Sequence, residues 1–141
     1  MSESTITISR HVPVDAARAF RAWVDPAELA RWWWPQWPDT TYEIDARQGG
    51  EVRIHSAEVG MGITGTFLDF DPPRGFTMTW VWGDDSRQEA VVEDTVDVRF
   101  VEGEDGTEVT VRHTSTEHVP DGGAEQGWND MLDRLPGHLS G

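Results

Sequence analysis

Apolar and polar residues alternate through TITISRHV (5–12), which puts Ile6, Ile8 and Val12 on one face of a strand. The period then changes. In VDAARAFRAWV (14–24), Ala16, Ala19, Phe20, Trp23 and Val24 recur at three-to-four spacing, which predicts an amphipathic helix. DPAE follows, with Asp25 as N-cap, Pro26 at the first helical position and Glu28 at the third supporting the cap. A second short helix is therefore expected from Pro26 to about Trp33, stopped by Pro35 and Pro38.

From residue 40 to about 116 the period is two. Tyr42, Ile44 and Ala46 share a face, then Val52 and Ile54, before a Gly-rich hairpin around EVGMG (58–62). GTFLDF (65–70), a tight turn at DPPRG (71–75), and a strand with Phe76, Met78, Trp80 and Trp82 on one face come next. After a turn at GDDSRQ (83–88), two longer strands over 90–101 and 107–116 are joined by EGEDG (102–106). The chain closes on a helix with Ala124, Trp128, Met131, Leu132 and Leu135 as its apolar stripe, which Pro136-Gly137 should kink or end. At least six strands with hairpin-length links make a mostly antiparallel α+β meander. One helix laid over the apolar face of such a sheet leaves a gap that the short helices partly close, so a cavity is a natural outcome.

Composition narrows the classes. The 141 residues suit one domain, and the absence of cysteine excludes disulfides, thiolate metal sites and thiol nucleophiles, which fits a cytoplasmic protein. The start, MSESTITISRHV, lacks the basic and apolar regions of a signal peptide, and no apolar run is long enough to span a membrane. Eleven arginines, with no lysine, face 26 acidic residues for a net charge of −15. Phosphate backbones and anionic membranes are repelled by that balance, so neither nucleic acid nor a membrane is an expected partner. The acids are scattered, which describes a solvated surface rather than an acidic tail.

Candidate chemistry is sparse. Val92, Asp94, Val96, Val98 and Phe100 share one strand face, and Val109, Val111 and His113 the matching face of the next. A GEDG loop at 103–106 pairs Glu102 with Thr107 and sets Val96 opposite His113, which leaves Asp94 as the diagonal neighbour of His113. An Asp94–His113 pair facing a cavity can act as an oriented general base; the alternative is a structural pair near a strand end. His11, His55, His118 and His138 show no metal-ligand spacing, and Ser9, Ser56, Ser86 and Ser115 lack a nucleophile-elbow setting, so no metal or cofactor is expected. GMGITG (60–65) lacks the lysine and following helix of a phosphate loop and reads as a hairpin.

Five stretches carry a resemblance: ISRHVPVDAARAFRAWVDPAELARWW at the start, DARQGGEVRI (45–54), GTFLDFDPPRGFTMTW (65–80), TEVTVRHT (107–114) and GWNDMLDRL (127–135). In this order the chain resembles the START/Bet v 1-like (SRPBCC) superfamily, and within it prokaryotic relatives of the C-terminal domain of the activator of Hsp90 ATPase. The resemblance implies a helix-grip fold: a curved antiparallel sheet of six to seven strands, two short helices after the first strand, and a C-terminal helix packed across the sheet. It names no catalytic residue. Trp34, after the Trp-Trp pair, and Pro136, in the last helix, depart from the family pattern.

Three functions follow as expectations. The first is a carrier or sensor holding a small, largely apolar, aromatic or lipid-like ligand between sheet and helix. Its walls would be Phe76, Met78, Trp80 and Trp82, with Val96, Val98, Val111 and His113 beside them and Trp128, Met131 and Leu132 opposite. The second is a cyclase-type enzyme using Asp94 and His113. The third, from the family name alone, is a co-chaperone of an Hsp90-type ATPase; either a monomer or a homodimer is compatible with all three. RWWWPQWP (31–38) holds four of the eight tryptophans and lies at the rim of the expected cavity. Helical phase turns Trp32 and Trp33 inward, whereas Trp34 and Trp37, where the prolines break the helix, are expected to gate the pocket beside Tyr42, with one or both partly exposed.

Overall fold

The computed structural model describes residues 4–84, 93–115 and 122–140. The expected turn at 83–88, with Ser86, falls mostly outside them, as do His118 and the side chain of Trp82. Strand β1 (Ser4–Val12) leads into helices α1 (Ala16–Val24) and α2 (Pro26–Trp32). Strands β2 (Thr41–Ile44), β3 (Glu51–Ser56), β4 (Met61–Asp71), β5 (Gly75–Asp84), β6 (Glu93–Gly103) and β7 (Gly106–Ser115) follow, and α3 (Gly122–Ser140) ends the chain. All seven strands form one antiparallel sheet in the order β1-β7-β6-β5-β4-β3-β2. This is the expected helix-grip arrangement.

Local chemistry explains the helix starts. The Asp15 side chain caps α1 by accepting the Arg18 N–H at 2.8 Å, and Asp25 caps α2 by accepting that of Ala27 at 2.9 Å. The start of α1 is held against the β6–β7 hairpin, where the Glu102 carboxylate accepts the Ala16 N–H and the Thr107 hydroxyl donates to the Val14 carbonyl. Glu28 does not close a capping box. Its carboxylate is instead taken by Arg18, Arg21 and His138.

Two elements differ from the sequence expectation. The expected Gly-rich hairpin joins β3 and β4, but its turn covers only 57–60, with Gly60 at φ +67°, and the rest of GMGITG is strand because β4 begins at Met61. Glycine persists inside that strand because a Cβ at Gly65 would run into the Thr79 carbonyl of β5. The final helix is not ended by Pro136 either. Proline removes one helical donor, but Leu135 and Leu139 on either side of it are buried in the core, and His138 bonds Glu28 at 2.9 Å. Tertiary contacts on both sides of the break carry the helix through it.

Strand alternation sends one face of the sheet inward. On β6, Asp94, Val96, Val98 and Phe100 are buried, and on β7 so are Thr107, Val109, Val111, His113 and Ser115. The core forms where this face meets the inner sides of α1, α2 and α3. Helix α3 is fastened at several points. Arg10 of β1 reaches Asp133 at 2.9 Å and Asn129 at 2.7 Å. Arg134 donates to the carbonyls of Trp32 and Trp33 at 2.8 and 2.6 Å, satisfying the open end of α2.

Candidate functional site

The interior beneath α3 is walled by aromatic rings. Trp23 of α1, Trp33 at the end of α2, Trp80 of β5 and Trp128 of α3 meet with ring centroids 5.1–6.4 Å apart. Most of these contacts are edge-to-face or tilted, the geometries that ring quadrupoles favour. Between them and the sheet lies a void of only ≈ 20 Å³, about the space of one water. Its lining has no charged side chain: besides those four tryptophans it includes Leu29, Phe67, Phe76, Met78, Val96 and Val98.

The expected wall residues therefore divide. Phe76, Met78, Trp80, Val96, Val98 and Trp128 border the void. Val111, His113, Met131 and Leu132 are buried in the surrounding core without bordering it. Trp23, Leu29, Trp33, Ile44, Val52, Ile54, Ile63 and Phe67 also line it, although sequence reasoning had not placed them in the wall. Their signal was present in the inward stripe of the short helices and in the alternation of β3 and β4.

Trp34, Trp37 and Tyr42, expected to gate the pocket, do not border this void; Trp34 and Trp37 meet edge-to-face at 5.0 Å. Trp34 is buried and Trp37 half-buried, so the expected exposure falls on Trp37. The Tyr42 hydroxyl accepts the Trp34 backbone N–H at 3.3 Å, and burial pushes that phenol above its ordinary pKa. Tyr42 also borders an open groove of ≈ 630 Å³ along β2, whose lining mixes Glu43, Asp45 and Glu51 with Arg47 and Arg53. Asp45 and Arg47 pair there at 2.9 Å.

The Asp94–His113 pair exists, in the expected register. Glu102 faces Thr107 and Val96 faces His113, and the diagonal carboxylate reaches the ring: Nε2 of His113 lies 2.7 Å from Oδ2 of Asp94. Two partners were not foreseen. Ser115 Oγ donates to the other Asp94 oxygen at 2.5 Å, and Trp128 Nε1 donates to His113 Nδ1 at 2.9 Å. An indole N–H can only donate, so Nδ1 is the acceptor and the ring proton sits on Nε2, given to Asp94. Both imidazole nitrogens are thus engaged, which leaves no free lone pair for a substrate proton. The chain Ser115–Asp94–His113–Trp128 ties α3 to the sheet.

Trp23 and Trp33 present the opposite condition. Trp32 gives its indole N–H to the Ala22 carbonyl at 2.9 Å, but among the described residues nothing accepts from Nε1 of Trp23 or of Trp33. Both side chains are at least 95% buried. A buried donor without a partner costs on the order of 1–3 kcal/mol. Both tryptophans line the same apolar void.

Farther out, Glu28 joins three elements. Burial would raise its carboxyl, but hydrogen bonds from His138 and Arg18, and the Arg18 charge, hold it below the usual carboxylate range. At the loop after α2, the Glu58 N–H donates to Asp39 at 2.7 Å and the Ser56 hydroxyl at 2.9 Å, and these bonds hold that carboxyl low as well. Among the described residues, no cluster of His, Asp or Glu is arranged to hold a metal ion. Nor does any described helix have the length and apolarity to cross a membrane.

Sheet, short helices and covering helix define a helix-grip domain with an aromatic interior. Residues 13–140 match the family model of the activator of Hsp90 ATPase homolog 1-like proteins, and the chain belongs to that family. A protein from Rhizobium leguminosarum is similar in structure at 25% identity and TM-score 0.81, over 99% of this chain and 95% of that one. CalU16 from Micromonospora echinospora is similar at 23% identity and TM-score 0.68, over 96% and 76%. DynU16, a protein of the dynemicin biosynthetic locus, is similar at 19% identity and TM-score 0.77, over 97% of this chain and 47% of DynU16, so this chain spans about half its length. No curated protein matches the chain in sequence.

Proposed function

We propose that the protein binds a small, flat, largely apolar ligand between its sheet and α3, acting as a cytoplasmic carrier or sensor. The observation that carries this reading is the lining: an uncharged, tryptophan-rich interior under a single covering helix. A fully packed core would serve stability better by pairing every buried donor, and among the described residues this one leaves two indole donors unpaired. The origin of DynU16 in a biosynthetic locus is consistent with a polycyclic, polyketide-like ligand. The void of ≈ 20 Å³ is too small for a ligand of several rings, so the reading requires the interior to widen on binding.

Fluorene, a flat hydrocarbon of three fused rings, tests the reading. Its binding should quench or shift tryptophan emission saturably, with one site per chain by calorimetry. If neither fluorene nor its ketone, 9-fluorenone, changes emission or heat up to its solubility limit, the ligand-binding reading fails. The cyclase alternative finds little support, because His113 has both ring nitrogens occupied. The co-chaperone alternative rests on the family description, and stimulated ATP hydrolysis by an added Hsp90 would favour it.

A further inference from the structure

We infer that the ligand carries a neutral hydrogen-bond acceptor, a carbonyl or equivalent oxygen, which takes up the indole N–H groups of Trp23 and Trp33. The inference rests on the ligand-binding reading above and sharpens it by naming the polar group recognised. Three observations converge. The two N–H groups are buried and have no partner among the described residues. Both tryptophans border the same void, which is the size of a single oxygen-centred group. Their rings meet edge-to-face at 6.0 Å and 80°, so the two indoles are direct neighbours in one wall.

The lining also decides what kind of acceptor fits. It contains no arginine, histidine or other cation, so an ionised carboxylate would enter without a counter-charge and lose its hydration. A ketone or quinone oxygen has two lone pairs, bears no net charge, and asks only for donors. The remaining walls, among them Phe67, Phe76, Met78 and Val96, offer nothing but apolar surface to the rest of the molecule. Recognition is therefore asymmetric, with a hydrocarbon body held by shape and one oxygen held by two indoles. The neighbouring Trp128 does not compete, because its N–H is already given to His113.

A matched pair of probes isolates the oxygen. Fluorene and 9-fluorenone share a flat three-ring skeleton and differ by a CH2 replaced by C=O. Filling an unpaired buried donor should make 9-fluorenone bind about tenfold or more tighter than fluorene. In Trp33→Phe, which keeps an aromatic ring and lacks one of the two N–H groups, that ratio should fall severalfold; Trp23→Phe provides the same test if Trp33→Phe does not fold. Equal affinity of the two probes for the unmodified protein would overturn this inference while leaving the ligand-binding reading in place. Binding of neither probe would overturn that reading, and this inference with it.

Discussion

Trp128 and Trp33 meet edge-to-face with ring centroids 5.7 Å apart, both buried, yet their N–H groups stand in opposite conditions. Trp128 donates into a chain that runs through His113 and Asp94 to Ser115, where each donor finds an acceptor. Trp33, one ring away, donates to nothing described. The polar cluster at the β6–β7 side is thus complete without a ligand, and the tryptophan wall is not. Chemistry-bearing residue types attract attention to the first region, but satisfied valences mark it as a structural latch. The second, made of residue types usually read as core, is where buried donors lack an acceptor among the described residues.

That contrast can be broken most severely at Asp94. Asp94→Ala removes the acceptor of both the His113 Nε2–H and the Ser115 hydroxyl. Leaving two buried donors unpaired should cost about 2–6 kcal/mol in urea unfolding. Loss of less than about 1 kcal/mol would show that the cluster is not a latch. The next test compares the two rings directly. Trp128→Phe and Trp33→Phe leave similar vacant volume, but the first strips His113 Nδ1 of its donor and the second removes an already unpaired one. Trp128→Phe should be the less stable variant, by about 2 kcal/mol from the hydrogen-bond difference; equal losses would erase the distinction between the two sites.

The mildest effect is expected at the outer fastening of α3. The Glu28 carboxyl is lowered in the folded state, so its contribution is fully present above the unfolded-state pKa and is lost as pH falls through the folded-state value. Its partners Arg18 and Arg21 are partly exposed, which discounts the interaction to about 1 kcal/mol. Glu28→Gln should accordingly be less stable than the unmodified protein at pH 7, with the gap closing in acid below the usual carboxylate range. A gap that stays constant through and below that range would remove the charged fastening from the account.

Much of this could be read from the sequence, because strand period and loop length are local signals. The GEDG loop set the β6–β7 register, and that register alone brought Asp94 toward His113. Face assignments on β5 and β6 followed from alternation and identified five of the bordering residues, Phe76, Met78, Trp80, Val96 and Val98. What escaped depends on contacts between elements far apart in the chain. The donor to His113 Nδ1 comes from α3, fifteen residues on and across the sheet, and it turns a candidate base into an occupied acceptor. Helix α3 passes Pro136 because Leu135 and Leu139 are buried on either side of it, a tertiary effect that no local rule for proline contains. The extent of the void was equally hidden. Strand parity tells which side chains point inward, but how closely five or six large rings interlock depends on rotamers and crossing angles.

The most direct test of the central claim follows the indole N–H groups themselves. In protein labelled with 15N at tryptophan, each Nε1–H gives its own resonance, assigned through single Trp→Phe variants and observed while 9-fluorenone is added. Trp33 or Trp23 should move downfield to a bound position as a new hydrogen bond forms, with Trp128 retaining the shift set by its bond to His113. If saturating 9-fluorenone leaves the resonances of both Trp23 and Trp33 where they stand in the free protein, the unpaired donors are not the recognition element and the account is contradicted.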